Sequence, residues 1–115
     1  ILSCSGGALA QLSCAVRTTT VHDAYIYGSR GYLHLTNPFW CTTRVMRYEG
    51  ESFIEAYDHP HRCNGFEYQI EAVCRGIQQG KRESAIMPLD ASLRIMDTMD
   101  TLRAQWGLKY PGETD

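Results

Sequence analysis

Residues 65–113 read GFEYQIEAVCRGIQQGKRESAIMPLDASLRIMDTMDTLRAQWGLKYPGE, two stretches of helical spacing separated by a basic turn. In the first, Phe66, Ile70, Val73 or Cys74, and Ile77 fall on one stripe of the helical repeat. Asn64 can cap this helix, Glu67 three residues on can reach back in a capping box, and Gly80 ends it. In the second, Pro88 suits a first helical turn and Asp90 lies near the positive end of the dipole. Leu93, Ile95, Met96, Met99, Leu102 and Trp106 then form a wide apolar band, closed by Gly107 and Pro111. Amphipathic helices need an apolar surface to lie on, so the preceding residues decide the fold class.

Up to about Tyr57 the pattern is period two, the spacing of strands with one buried face. Gly6-Gly7 supplies the positive φ of a two-residue hairpin turn, which predicts pairing of residues 1–5 with residues 8–16. In that second strand Ala8, Ala10, Leu12, Cys14 and Val16 make one apolar face, with Gln11 and Ser13 on the other. Gly28-Ser29-Arg30-Gly31 joins strands at residues 24–27 and 32–36, directing Ile26, Leu33 and Leu35 to the core and Tyr25, Tyr27, Tyr32 and His34 to the opposite side. Residues 44–49 and 52–57 flank Gly50 as a further hairpin, and residues 58–63 read as a loop. Strands first and helices after argue for an α+β domain: an open-faced, mainly antiparallel sheet with two helices on one face.

The length of 115 residues suits one domain that buries roughly two-thirds of its unfolded surface, which predicts a modest core. A net charge of -2 without a basic run gives little attraction for a polyanion, so nucleic acid is not an expected partner. No apolar run approaches the ~20 residues of a membrane span, and the expectation is a soluble chain. Cys4, Cys14, Cys41, Cys63 and Cys74 form an odd set with no C-x-x-C pair, which suits reduced thiols in the cytoplasm. Ile1 enters an apolar segment with no initiator Met, so further chain is expected upstream.

Neither G-x-G-x-x-G nor G-x-x-x-x-G-K-[ST] occurs, and Gly28-x-x-Gly31 is too short to cradle a pyrophosphate. No nicotinamide cofactor is expected to bind these residues. His59-Pro60-His61-Arg62-Cys63 offers imidazole and thiolate but no second ligand pair, so it reads as a polar loop with no metal. Asp97 and Asp100 read as a solvated helix face rather than a catalytic dyad. A thiol paired with His22 or His34 as a nucleophile has no local signature.

Residues 65–113, together with Thr36-Asn37-Pro38-Phe39-Trp40-Cys41, resemble the carboxy-terminal half of the Gfo/Idh/MocA oxidoreductases. Within that family the likeness is to the branch of dihydrodiol dehydrogenases and NADP-dependent xylose dehydrogenases. The resemblance implies that residues 1–115 are a substrate and oligomerisation domain whose amino-terminal Rossmann domain lies outside this sequence and binds NAD or NADP. It further implies hydride transfer at a CH-OH group of a sugar, cyclic polyol or dihydrodiol. The family's Lys-Pro pair and Gly-x-x-x-Asp-x-x-x-His/Tyr motif precede the matching region. Lys81 and Lys109 are followed by Arg82 and Tyr110, so no catalytic residue is carried over and the isolated stretch is expected to be inactive.

Asn37-Pro38-Phe39-Trp40-Cys41 interrupts the strand pattern, and the proline removes a ladder donor, which fits a loop mouth where an aromatic side chain faces a ligand. A core or interface Trp is the plainer reading of the residue type. The family's aromatic at the matching position makes Trp40, and less so Phe39, the expected substrate contacts. If helices cover one sheet face, the other, carrying Gln11, Ser13, Tyr25, Tyr27, Tyr32 and His34, is left aromatic and lightly charged. A two-fold homodimer contact is expected there. The competing expectation is a stand-alone interaction or small-ligand-binding domain that docks a partner on the same face, and a Rossmann domain in the complete reading frame decides against it.

Overall fold

A computed structural model describes residues 1–113. The architecture is the expected α+β one, six strands followed by two helices, with the sheets open and antiparallel. Two compact units divide the chain: Ile1–Arg62 holds the strands, and the residues from Cys63 onward hold the helices.

In the first unit β1 (Leu2–Ser3) and β2 (Leu9–Ala10) form a short hairpin. Its loop is Ser5-Gly6-Gly7, one residue longer than predicted, with Gly6 and Gly7 at φ of 87° and 82°. The loop is closed by Cys4 N–H donating to the Ala8 carbonyl and Gly7 N–H to the Cys4 carbonyl, at 2.8 and 3.2 Å. The predicted strand over residues 8–16 is much shorter than its alternation suggests. Its pairing with β1 ends at Ala10, with Leu2 opposite Ala10 and Ser3 opposite Leu9. Gln11 and Ser13 therefore lie in irregular, exposed chain rather than on a sheet.

Strands β3 (Ala24–Gly28), β4 (Gly31–Leu35), β5 (Arg44–Glu49) and β6 (Ser52–Asp58) follow as an antiparallel meander in sequence order. Ser29 and Arg30 form the first turn between paired Gly28 and Gly31, and Gly50, at φ of 57°, opens the last. Gly31 is required by a close approach: a Cβ there would run into the Tyr48 carbonyl oxygen and the Glu49 Cα across the β4–β5 ladder. A bulge between Arg47 and Tyr48 shifts the register, so that Arg47 opposes Glu55 while Tyr48 opposes Phe53.

In the second unit α1 spans Phe66–Gln78 and α2 spans Leu89–Trp106. Gly65, rather than Asn64, occupies the N-cap of α1, in the left-handed region. Asn64 still contributes, because its Oδ1 accepts from Phe66 N–H at 3.2 Å. Glu67 turns back as anticipated, accepting from the backbone N–H groups of Cys63, Asn64 and Gly65 at 2.9, 3.3 and 2.7 Å. Pro88 stands at the N-cap of α2, immediately before the helix, with Asp90 in its first turn. Gly80 and Gly107 close the two helices, with Lys81 N–H returning to the Gly76 carbonyl and Leu108 N–H to that of Arg103.

No described residue is fully buried, which corrects the expected modest core. A core closes when apolar layers face each other. Here the stripes of Ile70, Val73 and Ile77 on α1 and of Leu93, Met96 and Trp106 on α2 remain exposed, as does Ile26 on the sheet. None of the described helices is long and apolar enough to cross a membrane.

Candidate functional site

Two aromatic features stand out on the first unit, a corner between β4 and β5 and one face of the meander. The corner is built by the connection from Thr36 to Thr43, which leaves the ladder at Asn37-Pro38, a cis peptide, and makes one 3-10 turn at Phe39–Cys41. Threonine hydroxyls pin both ends of this loop. Thr36 Oγ1 and Thr42 Oγ1 are 3.0 Å apart, and each donates to the Arg44 carbonyl, at 3.1 and 2.9 Å. His59 N–H donates to the Thr43 carbonyl at 2.8 Å, and His61 Nε2 lies 3.1 Å from the Cys41 carbonyl oxygen. His59 and His61 thus brace the corner.

Trp40 is 62% exposed and Phe39 44%, so neither is the core residue that the residue type alone would suggest. Their rings meet edge to face, with centroids 5.4 Å apart at 79°. His22 completes the corner, its ring centroid 4.9 Å from that of Trp40, while its carbonyl accepts from Phe39 N–H at 2.8 Å. In the sequence His22 offers itself only as a partner for a thiol. Its true neighbours come from a loop two strands later, and no local signal announces that pairing.

The second feature follows from the register. Tyr25 opposes His34, Tyr27 opposes Tyr32, and Tyr32 in turn opposes Tyr48, so the four predicted residues Tyr25, Tyr27, Tyr32 and His34 share one face. Tyr25 stacks on His34 at 4.4 Å and Tyr32 on Tyr48 at 4.6 Å, both within 8° of parallel. The structure adds Tyr48, Met46 and, through the bulge, Phe53, whose ring meets Tyr48 edge on at 5.7 Å. Asp23 accepts from His34 Nε2 at 2.8 Å, and both side chains are largely shielded. Desolvation, followed by the neighbouring tyrosines and Glu51, pushes the Tyr32 phenol upward.

The opposite face is mixed rather than purely apolar. Beside Ile26, Leu33, Leu35 and Val45 it carries Arg47, whose Nε donates to Glu55 and Nη1 to Glu49, each at 2.7 Å. The Tyr57 hydroxyl and then Arg47 hold the Glu55 carboxyl below its ordinary value.

Helix starts are the usual anion sites, because their free N–H groups point outward. Just before α1 the Glu67 carboxylate accepts from the N–H groups of Cys63, Asn64 and Gly65, and at α2 the Leu89 N–H goes to Glu83 Oε2 at 2.8 Å. Carboxylates placed there repel an incoming phosphate. Among the described residues no group of three or more His, Cys, Asp or Glu side chains converges as a metal site.

Comparison with known proteins gives the chain its relatives. It is 26% identical to human trans-1,2-dihydrobenzene-1,2-diol dehydrogenase over 116 residues, 96% of this chain and 35% of that protein. The enzyme of the same name from Danio rerio is 30% identical over 115 residues, 95% of this chain and 34% of the relative. That from Xenopus tropicalis is 29% identical over 119 residues. The chain is similar to dihydrodiol dehydrogenases. It corresponds to their carboxy-terminal portion and spans about a third of their length. No family model matches it.

Proposed function

We propose that this chain is the carboxy-terminal substrate and subunit-contact domain of an NAD(P)-dependent oxidoreductase acting on a CH-OH group of a sugar, cyclic polyol or dihydrodiol. The observation that carries the reading is similarity along 96% of the chain to one third of enzymes named for oxidising a dihydrodiol. A protein of that plan needs a dinucleotide site, and the carboxylates of Glu67 and Glu83 at the two helix starts disfavour a phosphate there. We assign cofactor binding, as NAD or NADP, and proton transfer to the amino-terminal Rossmann domain of the complete protein, and expect the 115-residue stretch alone to be inactive. Five free, exposed thiols fit a reducing compartment, and we assign the protein to the cytoplasm.

Within that plan Trp40 and Phe39 form one wall of the substrate pocket. An exposed indole on a braced loop offers a flat apolar face to the C-H side of a ring, while the hydroxyls of such a substrate stay free for polar partners. The contact orients the substrate; it moves no proton. Tyr25, Tyr27, Tyr32 and His34 form a homodimer contact, because a broad aromatic face matches the composition of interface cores and a two-fold axis lets one patch serve both subunits.

The test is steady-state kinetics of the complete protein with D-xylose, a cyclic polyol and a trans-dihydrodiol, each with NAD and NADP. Turnover of one of them is expected, and Trp40→Ala should raise its KM roughly tenfold, the loss of one aromatic contact, without altering cofactor affinity. Turnover of none, or a variant that loses cofactor affinity while substrate affinity holds, overturns the assignment.

A further inference from the structure

We propose that His22 is a positioning residue for the substrate corner, setting the orientation of Trp40; this rests on the reading of Trp40 as a substrate contact. His22 reaches the corner twice. Its carbonyl accepts from Phe39 N–H at 2.8 Å, fixing the start of the 3-10 turn, and its imidazole packs against the indole with centroids 4.9 Å apart at 51°.

The backbone of His22 is itself tied down, because the next residue, Asp23, holds His34 of β4 through its carboxylate at 2.8 Å. His22 thus lies two residues before the start of β3 at Ala24, and the sheet anchors it through Asp23. Phe39 touches the indole edge on at 5.4 Å, and the imidazole closes on it tilted rather than edge on. With 62% of its surface open, Trp40 has room for other rotamers, and a second ring against it removes some of them. Rotamers excluded before binding cost nothing when the substrate arrives, so His22 lowers KM by pre-organising the indole.

A residue acting this way affects substrate binding and leaves the chemical step alone. In the complete protein, His22→Ala should raise KM roughly two- to tenfold with kcat and cofactor affinity unchanged, the range of one aromatic pair. His22→Phe, which keeps a ring against the indole, should restore KM. Because both residues act through one contact, His22→Ala combined with Trp40→Ala should be no worse than Trp40→Ala alone.

Fluorotryptophan labelling supplies an independent readout. The Trp40 resonance, assigned by its loss in Trp40→Phe, should shift in His22→Ala and return toward its original position in His22→Phe. If Trp40→Ala raises KM while His22→Ala moves neither KM nor that resonance, the proposal fails and the substrate corner survives. Additive losses in the double variant also overturn it. An unchanged KM in Trp40→Ala removes the substrate corner itself, and the role of His22 with it. Far-UV circular dichroism on each variant, with His22→Phe as the ring-preserving control, separates these outcomes from misfolding.

Discussion

The meander of β3 to β6 and the helical unit are held by different kinds of contact. Each strand of the meander depends on residues far along the chain: Tyr32 needs both Tyr27 and Tyr48, and the corner needs His22 as well as His59. The helices are organised by neighbours. Glu67 caps from within α1, Glu83 meets Leu89, and Arg103 joins Asp100 and Glu113 at 3.1 and 2.6 Å while its guanidinium lies 4.3 Å over the Tyr110 ring. Perturbing a sheet residue should therefore affect a whole ladder or an interface, whereas perturbing a helix residue should affect one turn.

The largest effect is expected on the aromatic face. Tyr25→Glu with Tyr32→Glu places two charges in the proposed subunit contact, and the dimer should weaken by at least roughly a hundredfold, as for a charge buried at an interface centre. Light scattering on the complete protein, with far-UV circular dichroism to show the fold intact, measures this. A native protein that stays monomeric at high concentration, or a variant dimer as tight as the original, removes the contact.

Next comes the ladder itself. Gly31→Ala drives a Cβ into the backbone at Tyr48 and Glu49, which cannot yield as a flexible side chain could. A loss of about 2 kcal/mol is expected in denaturant unfolding of the complete protein, within the range of overpacked sites. Gly28→Ala is the sharper control, since a Cβ there meets only the Gly31 carbonyl oxygen at an ordinary 3.8 Å. Equal losses at the two glycines would show that close approach is not the cause.

The smallest effect should be in the helical unit. Desolvation at the start of α1 opposes the Glu67 charge, but backbone N–H donors from Glu67, Cys63, Gly65 and Asn64 outweigh it and lower the carboxyl below 4.5. A depressed folded value means that the stabilisation is present above the unfolded value and is lost as pH falls through the folded one. Acidification below about pH 4.5 should fray the first turn of α1, and Glu67→Gln should flatten that dependence. Amide exchange at Phe66 to Gln69 reads the fraying directly, and an unaltered profile in the variant would break the contrast between local helix and long-range sheet.

The same contrast explains what could be read in advance. The helices and the glycines that close them were legible, because spacing and caps are local chemistry and depend on residues within one or two turns. The β3–β4 and β5–β6 hairpins and the sharing of a face by Tyr25, Tyr27, Tyr32 and His34 were legible too, since adjacent strands joined by short glycine turns have little choice of register. Alternation over residues 8–16 misled, because period two shows only that a segment can be a strand, whereas β2 ends at Ala10. Similarly, Gly65 rather than Asn64 took the N-cap, a shift of one residue that composition does not resolve.

By itself, then, the sequence determined the element types, the α+β order, the aromatic character of one sheet face and the loop that presents Trp40. Only the tertiary structure decided that Tyr48 and Phe53 extend that face through a bulge, that Arg47 and Glu55 share the other, and that His22 closes on Trp40. The reason is physical. Local propensity follows from a few bonds of chain, whereas these pairings depend on which distant strands close a loop and at what register, and that is settled by the summed free energy of the whole ladder.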